Sequence, residues 1–210
     1  MQRINGLHIS QTLAELVDPA RTALLIYDMQ VGICRQVDQG GTIVASATHL
    51  LGAARTAGMR VIFTRHMSLP KKLMGRMAYR QAMAWQHAGD AEAVQPWFLR
   101  DSSNFEIMPE LEPAADEVIF DKLSMSAFEG TPLEMTLRDC GIEALAIAGI
   151  ALEIGIEPTV RHAADLGIVP IVIEDVCGHG NAEAAERSRA QMRFIGDAIL
   201  TNEAEFTALL

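Results

Sequence analysis

Cysteine is scarce in this chain of 210 residues: only Cys34, Cys140 and Cys177 occur, an odd number with no pair at metal-ligand spacing. That pattern excludes a disulfide framework and a cysteine-held zinc site, and it points to a reducing compartment. Positive charge is scarce too. Seventeen lysines and arginines stand against 27 acids, for a formal net charge of -10. A nucleic-acid partner calls for a basic stripe, and none occurs. Long apolar runs are also missing. The hydrophobic segments are short and broken by charges, so none is expected to span a bilayer. The N-terminus lacks the basic stretch and apolar run of a secretory signal. The expectation is a cytoplasmic protein with no membrane or nucleic-acid partner.

What the chain does have is hydrophobic residues, which make up half of it. One domain over residues 1–210 is expected, large enough to bury a core. Short apolar runs recur: Ala23 to Tyr27, Arg60 to Thr64, Glu117 to Phe120, Ala144 to Ala148 and Val169 to Ile173, with a weaker one at Asp197 to Leu200. Continuous rather than alternating apolar runs suit strands covered on both faces. Helical patterns lie between them, over Ile43 to Ala57, Pro132 to Cys140, Pro158 to Leu166 and Ala182 to Phe194. Gly58, Gly141 and Gly167 sit just past helices, where a left-handed cap is wanted. The fold class is therefore α/β: a doubly wound, mainly parallel sheet with helices on both faces, a Rossmann-like three-layer sandwich.

In such sheets ligands bind outside the carboxyl ends of the strands. Asp28, Lys122 and the segment from Gly149 to Gly155 all fall there. By itself Asp28 reads as a loop-capping residue and Lys122 as a surface lysine. Strand ends that neighbour one another bring the two together, so that a carboxylate suited to proton transfer meets an ammonium able to neutralise an anionic group. One segment fits the rhythm poorly. Ser68 to Ser103 holds both tryptophans and the basic cluster Lys71, Lys72, Arg76 and Arg80. An insertion of this length is either functional or an oligomer contact on a solvated helix.

Four phrases in order carry a family resemblance. ALLIYDMQVG resembles the opening strand of the isochorismatase-like hydrolases, with the Asp before a hydrophobic-Gln pair. DKLSMSAFEGTPLEMTLRDCGIEALAIAGI resembles their Lys-bearing turn and the elements after it. GIALEIGIEPTVRHAADLG resembles the nucleophile segment, and IVIEDVCG the strand that follows. The resemblance implies that Asp28 is the catalytic acid or base and Lys122 its partner. It implies a non-proline cis peptide at Ile150 and Ala151 that helps shape an oxyanion hole. The position of the cysteine nucleophile, at the first turn of the next helix, is filled by Gly155.

Glycine has no side chain to acylate, and no other cysteine substitutes. Cys140 belongs to a helix end, Cys177 reads as a small buried residue, and Cys34, six residues beyond Asp28, alone has a path to the mouth. A branch of the family, the isochorismatases proper, also lacks the cysteine and cleaves a vinyl ether by protonation and addition of water. Resemblance to it implies non-covalent hydrolysis of a small, carboxylate-bearing substrate: Asp28 protonates, Lys122 holds the carboxylate, and amides near Gly155 hold water or an anion. Glu153 sits oddly in that scheme, because an extra carboxylate at the mouth repels an anion. It reads as a helix N-terminal acid or as a substrate contact. His66 is a substrate contact, and Phe128 is core or pocket wall. The metal site of the nicotinamidase branch is not matched, since RHMSLP supplies only His66, and neither metal nor cofactor is expected. Two alternatives stand: an inactive binding homologue, or a C–N (amide) hydrolase with another nucleophile. A homo-oligomer, dimer or tetramer, is expected.

Overall fold

The computed structural model describes residues 2–210. Chain order begins with an antiparallel hairpin, β1 (Gln2–Ile4) and β2 (Leu7–Ile9), turned by Asn5 and Gly6, both at positive φ. A short helix α1 (Leu13–Leu16) leads into β3 (Thr22–Tyr27). Then come α2 (Val31–Cys34), α3 (Gly40–Thr56), β4 (Arg60–His66), α4 (Arg76–Gln86) and β5 (Val118–Lys122). The second half runs α5 (Leu133–Asp139), β6 (Ala144–Ile150), α6 (Glu157–Asp165), β7 (Val169–Gly178), α7 (Ala182–Ile195), β8 (Ile199–Thr201) and α8 (Glu203–Thr207).

Six strands form one parallel sheet in the order β5-β4-β3-β6-β7-β8. The chain winds outward from β3 in one direction, crosses back, and winds outward from β6 in the other. The reversal of order therefore lies between β3 and β6, where a crevice opens at the strands' carboxyl ends. Both central strands are buried at every residue, as continuous apolar runs require.

Alternation along β3 divides the core. Leu24 and Ile26 face the layer of α3 and α8, while Ala23, Leu25 and Tyr27 face the layer of α5, α6 and α7. Gly58, Gly141 and Gly167 have φ of 73°, 68° and 77°, the left-handed caps expected of them. The strand β7 runs past its expected end at Ile173. Its register against β6 shifts between Ile147 and Gly149, and the bulge turns two acids outward. Glu174 pairs with Arg193 at 2.7 Å, and Asp175 accepts the Glu203 amide at 2.8 Å. Among the described residues no helix is long and apolar enough to cross a membrane.

Candidate active site

Asp28 leaves β3 with φ of 47°, a left-handed turn that an Asp tolerates better than a bulkier residue. The turn holds its carboxylate, nearly buried, at the mouth of the crevice. Oδ2 accepts from Lys122 Nζ at 2.7 Å and Oδ1 from the Thr64 hydroxyl at 2.7 Å. The Asp28 amide donates back to Thr64 Oγ1 at 3.2 Å. The two strand ends are not neighbours as expected, because β4 lies between β3 and β5. The long lysine side chain crosses that gap, and Thr64 of β4 joins the cluster on the way.

Lys122 is sealed in, its side chain 0% exposed. An ammonium has three N–H donors, and each has a partner: Asp28 Oδ2, the Tyr27 hydroxyl at 2.7 Å and the Ser124 carbonyl at 3.1 Å. This corrects the expectation that Lys122 holds a substrate carboxylate, since no donor remains for one. Tyr27 in turn donates to the Met125 carbonyl. Burial, and then the charge of Asp28, push its phenol well above the usual range, so it stays neutral.

Tyr27 also explains the glycine. A Cβ on residue 155 would lie 1.9 Å from Tyr27 Oη and 2.4 Å from Cζ. The phenol thus occupies the space that a side chain at the nucleophile position needs. Gly149 packs on the same residue, because a Cβ there would sit 2.1 Å from the Tyr27 carbonyl oxygen. Sequence reasoning passed over Tyr27. The available signal was that it carries the only polar side-chain atom in the run ALLIY.

The Ile150–Ala151 peptide is cis, as the resemblance implied. After it comes one turn of π-helix, Leu152–Ile156. Within that turn the amides of Gly155 and Ile156 both donate to the Ala151 carbonyl, at 3.0 and 3.2 Å. The expectation that amides near Gly155 hold water or an anion is corrected for these two, which are engaged. Glu153 does not cap its own helix. Its Oε1 accepts the amides of Gly180 and Asn181, each at 2.8 Å, where the chain enters α7.

Asp28, Tyr27, His66, Ile150, Ala151, Glu153 and Gly155 all line one cavity of about 600 Å³. Its outer wall is Trp85, Trp97 and Phe98 of the poorly patterned segment, which therefore faces the crevice. His66 packs edge-on against Phe98 at 5.9 Å. Burial, aided by Lys122, lowers its pKa to about 4, so the imidazole is neutral near pH 7. Gln30, of the hydrophobic-Gln pair, clasps the His66 backbone at both N–H (2.6 Å) and C=O (3.1 Å). Phe128 does not line this cavity. It lies in the core against His162, ring centroids 5.2 Å apart, so of its two readings the core one holds and the pocket-wall, substrate-binding one is corrected. Cys34 and Cys177 are buried, burial pushing both thiols up to about 12, and Cys140 is exposed at the end of α5. Among the described residues no group of three or more His, Cys, Asp or Glu converges at metal-binding distance.

Asp28, Lys122 and Gly155 thus stand around a cis peptide, and comparison with known proteins identifies the family. The chain is 31% identical to the uncharacterized isochorismatase family protein YwoC of Bacillus subtilis (strain 168) over 180 residues, 85% of this chain and 87% of that one. It is 26% identical to the ureidoacrylate amidohydrolase RutB of Serratia proteamaculans (strain 568) over 185 residues, 81% and 75% of the two chains. Among solved structures, a cysteine hydrolase from Pseudomonas syringae pv. phaseolicola 1448A superposes with a TM-score of 0.78 at 25% identity, covering 92% of this chain and 94% of that one. Residues 22–204 match the Isochorismatase domain family, and the chain belongs to that family of hydrolases.

Proposed function

We propose that this hydrolase adds water to a small substrate directly, with no covalent enzyme intermediate. On an amide, Asp28 takes a proton from water as the water oxygen bonds to the carbonyl carbon, and it returns that proton to the nitrogen as the C–N bond breaks. On a vinyl ether the order reverses: the Asp28 carboxyl gives a proton to the alkene carbon, takes one back from the water that adds, and the resulting hemiketal C–O bond then breaks. Lys122, held by three acceptors, fixes the carboxylate's position and charge. Its role is to orient Asp28 and not to touch the substrate. His66, Ile150 and Ala151 frame the reacting group, and the aromatic wall excludes water from the rest of it.

One observation carries this reading: the Tyr27 hydroxyl stands 1.9 Å from where a Cβ at residue 155 would be. A nucleophile is missing there, and so is the room for one. The amidohydrolase among the relatives supports including amides in the substrate search, alongside vinyl ethers. The carboxylate-bearing substrate implied by the resemblance is set aside, because Lys122 has no free donor.

A turnover screen of amides and vinyl ethers tests the proposal, with the wild type run beside Asp28→Asn. Loss of at least about 100-fold is expected for the variant, the scale of a general acid-base contribution. Acid-quenched turnover mixtures should show only the unmodified chain mass. Activity that survives Asp28→Asn, or a covalent adduct on the chain, sinks the proposal. Ligand binding with no turnover of any compound favours the binding-homologue alternative.

A further inference from the structure

We infer that Glu153 is a built-in anion that sets substrate charge, so the cavity selects small uncharged or cationic molecules with an apolar body and rejects carboxylates. The inference rests on the cavity beside Asp28 being the substrate site.

A carboxylate entering this cavity needs a cation or paired amides to offset its charge. No Lys or Arg is among the lining residues. The one nearby ammonium, Lys122, lies behind Asp28 with all three N–H groups engaged. The Gly155 and Ile156 amides are turned onto the Ala151 carbonyl. A third candidate is the start of α7, a helix of 14 residues, where the Gly180 and Asn181 amides point at the cavity edge. Paired backbone amides at a helix N-terminus are a ready anion site, but here Glu153 Oε1 already fills it, at 2.8 Å from each nitrogen. The nearby ammonium and both pairs of backbone amides are thus engaged by acceptors of the protein's own.

The same residue favours the opposite charge. Glu153 Oε2 is buried and has no hydrogen-bond partner among the described residues, so part of the carboxylate's charge is left uncompensated behind the cavity wall. A cation in the cavity is attracted by that charge, whereas a second carboxylate is repelled by it. Asp28 adds a further carboxylate to the wall. Trp85, Trp97 and Phe98 suit an apolar or aromatic body and a cation over a ring face. His66 stays neutral near pH 7. His87, exposed at the end of α4, also lines the cavity and is the other imidazole among its lining residues.

Three probes of one shape separate the charges: benzamide, benzylamine as its ammonium, and benzoate. Binding to the full chain is read by calorimetry or ligand-observed NMR at millimolar concentration, without any turnover. Benzamide and the ammonium should bind at least about tenfold more tightly than benzoate. Glu153→Ala frees the Gly180 and Asn181 amides and should raise benzoate affinity about tenfold while weakening the ammonium. Glu153→Gln, nearly isosteric, should narrow the gap even where the alanine variant folds poorly. Benzoate binding to the wild type as tightly as the other two overturns the inference, and so does a wild type that binds none of the three. Because no chemistry is read, failure here leaves the Asp28 mechanism to stand or fall by its own turnover test.

Discussion

The Tyr27 hydroxyl fills the volume that any side chain on Gly155 would need: a Cβ added at residue 155 would approach Oη to 1.9 Å. Tyr27 cannot swing away freely, because Lys122 donates to its oxygen and Gly149 lies against its carbonyl. Even one added methyl therefore forces the tyrosine or the π-turn to move.

Gly155→Ala should cost about 3 kcal/mol by chemical denaturation, the upper end of ordinary overpacking. Gly155→Cys should do the same and should not create a thiol-dependent hydrolase. Adding Tyr27→Phe should not relieve the clash, since the ring carbon Cζ alone would lie 2.4 Å away. Adding Tyr27→Val should relieve it, giving a double mutant less destabilised than the sum of its parts. Simple additivity in that cycle would mean that the two residues do not share the space.

Cysteine chemistry should be irrelevant to activity. Iodoacetamide should modify one thiol per native chain, Cys140, because Cys34 and Cys177 are buried and their thiols sit near 12. All three should react after unfolding. Peptide mapping locates the label, and any turnover found in the screen should survive native labelling. Inactivation would return attention to Cys34.

Acid should weaken the fold partly through His66. An unfolded histidine takes up its proton near 6.5, whereas burial holds His66 off until about 4. Between those values the unfolded chain binds the extra proton, so this contribution is intact above 6.5 and is lost as pH falls to 4. At about 1.4 kcal/mol per pKa unit the loss approaches about 3 kcal/mol. Urea unfolding at pH 7 and pH 4.5 measures it. His66→Gln should show a shallower fall than the wild type, and equal slopes would refute the account.

Much of this architecture was written in local signals. Apolar runs without alternation marked the buried strands, and Gly58, Gly141 and Gly167 marked where helices end. Asn5-Gly6 is an equally plain hairpin signal, and it turns β1 into β2, although no strand was expected there. The site was only half legible. Asp28, Lys122 and Gly155 stand in recognisable phrases, but what links them is Tyr27, which reads in sequence as one more strand residue. Its role depends on which face of β3 it takes and on a helix turn more than 120 residues later. Glu153 does sit at a helix N-terminus, as one of its two readings had it, but at another helix than its own. A carboxylate two residues before Gly155 suggests a cap for its own helix, whereas the π-turn aims it at the start of α7. Phe128 fell into the core because its phrase turns inward toward His162.

The strand at the sheet's centre, β3, is held on one side by β4 and on the other by β6, with Thr22 paired to Ala144. A growing chain releases Asp28 early, yet the partner strand that completes its surroundings arrives more than a hundred residues afterwards. Pairings between such distant segments close late, because loop entropy is lost before contacts repay it. The Asp28–Lys122 contact lies within the β5-β4-β3 half, whereas the wall of Ile150, Ala151 and Gly155 arrives only with β6. A nick or a truncation after Lys122 that keeps β6 from docking therefore leaves a polypeptide carrying both residues of the pair beside half a cavity.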